Sequence, residues 1–167
     1  MSMKVDVQRK RVDMSKVREG TVRVGFFEDK RYDDDLPVAQ VAFWNEYGTK
    51  VEHGMPPRPF MRPAVFEKKS DLEEKLRSRY RQAFKDGENT MNVLEAFGEY
   101  VVDIIQKKID ATFTPENAPI TIKGGWLGFK GKRKNVYVVG KSGKSHPLKD
   151  TGYMYDSVAY QCEEVKK

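Results

Sequence analysis

A single cysteine, Cys162, stands in the 167 residues, so no disulfide can close within the chain. That suits a reducing compartment, and in a strand-like segment such a thiol serves as a small apolar side chain. No run approaches the roughly 18 apolar residues of a membrane span. The opening MSMKVDVQRKRVDM lacks the apolar centre of a secretory signal. A soluble, intracellular protein without membrane contact is therefore expected. Histidines number two, His53 and His146. With no second ligand cluster near either, metal binding through His53 and Glu52 is not expected. Phosphate-loop, dinucleotide and zinc fingerprints are missing too, so no cofactor is expected.

Two fragments resemble catalytic motifs only superficially. Lys141–Ser145 (KSGKS) lacks the first glycine and spacer of a phosphate loop, and reads as a basic turn. Asp150-Thr151-Gly152 matches the aspartic-protease tripeptide, whose chemistry needs two carboxylates sharing a proton. Here it lies near the end of a helix-rich chain, where an aspartate capping the turn at Tyr153–Ser157 suffices. Asp33-Asp34-Asp35 lacks the spaced ligands and glycine of a calcium loop, and reads as a solvated turn before a helix. No base is placed beside a nucleophile, and no enzyme is expected.

Charge is present in quantity and unevenly spread. The net charge is +6, and 34% of residues are charged. Between Asn117 and Lys149 there is no acidic residue, but there are eight basic ones: Lys123, Lys130, Lys132, Arg133, Lys134, Lys141, Lys144 and Lys149. Taking those eight from the total of 31 leaves 23 basic against 25 acidic groups elsewhere, a net of −2. Trp126, Phe129 and Tyr137 interleave with these charges. Such a segment suits docking on an acidic protein surface, or nucleic-acid binding through phosphate charge and base stacking. A merely solvated loop is the third reading.

Size and pattern predict one α+β domain: a small, mostly antiparallel sheet packed against two long helices, with a protruding basic hairpin or arm. Residues 1–20 read as a flexible or partner-ordered arm, and 21–167 as the domain, with its insertion at about 120–146. Thr21–Phe27 alternates like a strand, with Val22, Val24 and Phe26 on one face. Pro37 opens a short helix to Tyr47, on which Val38, Val41, Ala42 and Asn45 share a face and which Gly48 stops in the left-handed region. Thr49–Met55 reads as strand or extended loop. The MPPRPFMRP segment must be extended; recognition by an SH3-like partner is one use, and a rigid connector seating Phe60 is the simpler one. Pro63 then starts a long helix to about Lys85, with Leu72, Leu76, Tyr80 and Phe84 at four-residue spacing. Asp86-Gly87 ends it. A further helix spans Asn89–Ala111, striped by Val93, Leu94, Phe97, Val101, Ile104, Ile105 and Ile109. After Pro115 and Pro119 the basic segment reads as a hairpin or arm. Pro147–Thr151 is a turn, Gly152–Asp156 a helical turn, and Ser157–Val165 a last strand.

Two motifs in order carry a family resemblance. The first holds Tyr47-Gly48-Thr49-Lys50 and Pro57–Ala64 (PRPFMRPA, with Pro57, Pro59, Phe60 and Pro63), ahead of the long helix. The second holds Pro147-Leu148-Lys149-Asp150-Thr151-Gly152, then Ser157 and a strand. Together they resemble tailed-bacteriophage neck and tail-completion (head–tail joining) proteins, related to the virion-morphogenesis proteins of Mu-like phages. The resemblance covers about 36–112 and 146–165, and leaves the early arm and the basic insert unexplained. It implies a virion structural protein, assembled in the host cytoplasm into a homo-oligomeric ring of six copies, with twelve as the alternative. Its implied partners are the connector or portal side above, the tail terminator or tail tube below, and genomic DNA passing through the lumen. Partner contact would then fall on Lys123, Trp126, Phe129, Lys130, Lys132, Arg133, Lys134, Tyr137, Lys141 and Lys144. The alternative function is a nucleic-acid-binding accessory protein that works through the arm at 120–149.

Overall fold

The computed structural model describes residues 14–51, 54–128, 136–140 and 146–165. Strand β1 (Gly20–Gly25) pairs antiparallel with β4 (Ala159–Glu164), in a register from Gly20 opposite Glu164 to Gly25 opposite Ala159. Between them lie α1 (Val38–Tyr47), α2 (Met61–Phe66), α3 (Lys69–Asp86) and α4 (Thr90–Ala111). Next come α5 (Pro119–Lys123), β2 (Gly125–Leu127), β3 (Val136–Val138) and α6 (Tyr153–Asp156). The fold is α+β, with a small antiparallel sheet laid on the helices.

Helix α4 is the central post. Asn89 caps it by accepting the Met91 amide at 3.0 Å. One side carries β1 and β4, and α2 and α3 pack on others. Its stripe is buried as the periodicity predicts: Val93, Leu94, Val101, Ile104, Ile105 and Ile109 are all at most 7% exposed. The sheet approaches closely because α4 presents Gly98; a Cβ there would lie 2.6 Å from the Tyr160 ring. Even-numbered β1 residues turn toward α4, and Thr21 and Arg23 face water, where Arg23 meets Glu163 across the sheet at 2.8 Å.

Several elements differ from the sequence reading, for identifiable reasons. The helix expected to start at Pro63 begins at Met61, with Pro63 in its first turn. It does not run unbroken to Lys85: Lys68 leaves helical geometry at φ −113°, ψ 12°, and α3 starts afresh at Lys69. The break lets both pieces lie on α4, burying Ala64 and Leu72, while the Glu67 carboxylate takes Lys108 of α4 at 2.7 Å. Beyond Leu72 the four-residue stripe is only partly covered, and Phe84 is exposed. Gly48 does stop α1 at positive φ, but at ψ 178° rather than in the left-handed helical well. It also allows close approach, since a Cβ would sit 2.8 Å from the Met55 carbonyl. Residues 14–20, placed in the N-terminal arm by composition, are held to the domain. The Arg18 amide donates to Thr90 Oγ1 at 2.8 Å, the Arg18 side chain pairs with Glu164 at 2.7 Å, and the Glu19 carbonyl accepts the Val165 amide. Residues 1–13 and the pair Glu52–His53 lie outside the described residues.

Candidate interaction surfaces

The two motifs, about ninety residues apart in sequence, meet in space. Phe60, fully buried, joins Val38, Ala42, Leu148, Met154 and Val158 in one core with the α4 stripe, and its ring meets Phe26 edge-on at 6.1 Å. Holding Phe60 there requires an answer for the free amides that open α2. Glu46, at the end of α1, supplies it: Oε2 accepts the Phe60 and Met61 amides at 2.7 and 2.9 Å, and Oε1 accepts the Arg62 amide and Nε at 3.1 and 2.9 Å. Burial alone would raise the Glu46 carboxyl, but these donors outweigh it and hold it below the usual carboxylate range. Sequence reasoning did not single out Glu46. The available signal was one acid inside the apolar helix VAQVAFWNEY.

Arg58, 3% exposed, braces the opposite wall. Its amide donates to the Asn45 carbonyl at 2.6 Å, Nε to the Pro115 carbonyl at 2.6 Å, and Nη2 to the Glu116 carbonyl at 2.9 Å. Because the bonds go to carbonyls, Arg58 acts as a tie between the proline segment and the loop after α4.

The second motif is equally committed to structure. The Leu148 amide donates to His146 Nδ1 at 3.2 Å, so the proton sits on Nε2, which faces the Asp110 carbonyl at 3.1 Å. Lys149 pairs with Asp110 and lies 3.7 Å from the Tyr155 ring centre. Ahead of α6, whose N-cap residue is Gly152, Thr151 Oγ1 accepts the Tyr153 amide at 3.2 Å. Ser157 Oγ donates to the Tyr153 carbonyl at 2.6 Å, closing that turn. Pro57, Pro59 and Pro63 aim the chain, and Tyr47 stacks outside beneath the Arg62 guanidinium at 4.4 Å. Between the motifs runs an open groove of about 710 Å³, with Tyr32, Asn45, Arg58, His146 and Met154 in its walls. Two of its polar groups are engaged within the fold: Arg58 bonds to the carbonyls of Pro115 and Glu116, and His146 uses both ring nitrogens. Among the described residues, no group of three or more His, Cys, Asp and Glu side chains could hold a metal ion.

The described part of the basic segment holds the two paired strands of the expected hairpin. Strands β2 and β3 pair antiparallel, with Trp126 directly opposite Tyr137 and their rings 5.1 Å apart. Both rings are turned to solvent, 69% and 56% exposed, with Lys123 exposed at its base. Helix α5, which composition did not suggest, precedes the hairpin because Pro119 fits a helix's first turn. Phe129, Lys130, Lys132, Arg133, Lys134, Lys141 and Lys144 lie outside the described residues.

A second apolar surface had no place in the sequence reading. Phe43 and Tyr47, one turn apart on α1, pack at 4.7 Å and stay 57% and 51% exposed. They border a shallow cleft of about 340 Å³ whose walls include Phe27, Phe60 and Met61, and Phe66 is exposed on neighbouring α2. Aromatics at one-turn spacing on a short helix carry no mark of which side of the sheet they will meet. Compared with protein-family models, with curated proteins and with solved structures, the chain matches none.

Proposed function

We propose that this protein is a structural subunit of a tailed-bacteriophage virion, assembling into a homo-oligomeric ring in the neck that joins head connector to tail and leaves a conduit for DNA. The observation that carries the reading is the division of labour between motif and surface. The residues that resemble the neck family are consumed in building the fold: Phe60 as core, Ser157 and Thr151 in the hydrogen bonds of the turn, Leu148 as core again. The large exposed aromatics Trp126, Tyr137 and Phe43 lie outside that joint, where contacts with other subunits are expected, and Tyr47 is the motif residue that stays exposed beside Phe43. In this reading the protein is not an enzyme, needs no cofactor, and resides at the head–tail junction after assembly in the host cytoplasm.

Deleting Gly124–Ser145 should leave a folded subunit that fails to join heads to tails in a complementation assay. Virions that assemble normally without the segment would end the proposal. A second reading, a nucleic-acid-binding accessory protein, draws on the exposed Trp126–Tyr137 pair beside Lys123. Its mark would be duplex or single-strand binding that weakens steeply with salt. Rings seen by electron microscopy from protein that shows no such binding favour the neck subunit.

A further inference from the structure

The sheet that lies on α4 has two strands and therefore two outer edges without a strand neighbour among the described residues. The hydrogen-bond phase follows from the bond between the Val165 amide and the Glu19 carbonyl. In an antiparallel pair such bonded positions alternate with unbonded ones. In this register, Thr21, Arg23 and Gly25 bond across to Glu163, Gln161 and Ala159. The backbone groups of Tyr160, Cys162 and Glu164 then point outward along β4. Beside that edge, α4 sets Glu95 and Glu99 one turn apart, both exposed. Tyr160 donates its hydroxyl to Glu99 Oε1 at 3.2 Å. Cys162 lies close enough to Glu95 that its thiol, raised first by burial, is raised further by that carboxylate. Neither glutamate has a lysine or arginine partner among the described residues. Glu163 and Glu164 on the strand are paired with Arg23 and Arg18, so the uncompensated charge of this acidic ridge is that of Glu95 and Glu99.

We infer that this ridge, centred on Glu95 and Glu99 along the open edge of β4, is the seat for the β2–β3 hairpin of a second copy of this chain. The inference rests on the proposed assembly and names the surface through which copies join. Charge selects the occupant: the segment 120–146 that contains the hairpin strands carries seven basic residues and no acid. The hairpin also presents uncovered Trp126, Tyr137 and Val136, which an edge contact would bury. A chain's own hairpin springs from beyond the far end of α4, since Ala111 lies about 24 Å along the helix axis from Glu95. A neighbour's hairpin avoids that separation. Hairpin and ridge are different surfaces, so a contact that two copies do not reciprocate runs head-to-tail, and it ends in a ring when the rotation between copies closes.

Complementary variants of the full chain test this. One carries E95K and E99K, the other K123E, W126A and Y137A; circular dichroism and thermal melting check that both fold. In sedimentation velocity at low salt, the unaltered protein should form a salt-sensitive oligomer and each variant alone should remain monomeric. An equimolar mixture should form a heterodimer that grows no further, because only one intact hairpin meets one intact ridge. Oligomers of the E95K/E99K variant like those of the unaltered protein would overturn the seat and leave the assembly standing. Two competent monomers that fail to pair when mixed would also overturn it. Unaltered protein that stays monomeric at every concentration would overturn the assembly itself. If charge reversal prevents folding, E95Q/E99Q replaces it, with association weakened by about tenfold or more expected; undiminished association would overturn the seat.

Discussion

Replacing Glu46 with alanine removes four hydrogen bonds at once, and the stranded donors set the cost. The Phe60 amide is then left deep in the core without a partner, and the Met61 amide is left half-buried. Stranding a buried donor costs about 1–3 kcal/mol. The Arg62 groups reach solvent and contribute little, so Glu46→Ala should destabilise by about 2–5 kcal/mol. For a chain of this size that is a drop of roughly 6–12 °C in Tm, taking about 3 kcal/mol as the centre. Glu46→Gln keeps an oxygen for Phe60 and Met61 and turns its amide toward Arg62, so a loss near half as large, ~1–2 kcal/mol, is expected. The pH dependence has a definite sign. The folded carboxyl titrates below its unfolded value, so its contribution is complete above the unfolded value near pH 4.5 and is lost as pH falls through the folded one. Urea unfolding between pH 7 and pH 3 should therefore show a fall in stability that Glu46→Gln lacks. An alanine variant within about 0.5 kcal/mol of the unaltered protein would refute the capping argument.

Phe60→Ala should cost about 3–5 kcal/mol, enough to unfold much of the protein at 37 °C, as read by chemical denaturation. Gly98→Val should displace β4 and lower the unfolding free energy measured in urea by about 1–3 kcal/mol, with partial rescue by Tyr160→Ala in a double-mutant cycle. Trp126→Ala and Tyr137→Ala should each change stability by less than about 1 kcal/mol, since the pair stands in solvent. An assembly assay should nevertheless register their loss. The Cys162 thiol, raised by burial and by Glu95, should react with a disulfide reagent at pH 8 several-fold more slowly than a free thiol; equal rates would contradict its placement against α4.

Legibility in the sequence divided along the range of the interactions. The β1 alternation, the α4 stripe and the last strand are decided by neighbours within a turn or a few residues, and they stand within a residue or two of where periodicity puts them. The hairpin was visible from its glycines and alternating Val-Tyr-Val run. What was hidden depends on partners far away along the chain. Glu46 caps a helix that begins fifteen residues later, Arg58 bonds to carbonyls at 115 and 116, and the step at Lys68 exists because two segments share α4. Composition also misjudged residues 14–20, whose charges conceal backbone bonds to Thr90 and Val165. The candidate site splits the same way. The motifs announced themselves as shape-fixing, but their meeting around Phe60, and the ridge beside β4, emerge only once the strands are paired.

That pairing of β1 with β4 also sets an order of events during synthesis. Gly20 and Glu164 are neighbours in the sheet, so the sheet cannot close until the ribosome has released nearly all the intervening chain. Until then, α4 has only α2 and α3 to cover its apolar side, and the groove that receives Tyr160 at Gly98 stands open. Contacts of such long sequence separation form late and slowly. A ribosome-bound intermediate that stops short of residue 159 therefore has helices and the β2–β3 pair but not the β1–β4 sheet, which closes in one late step.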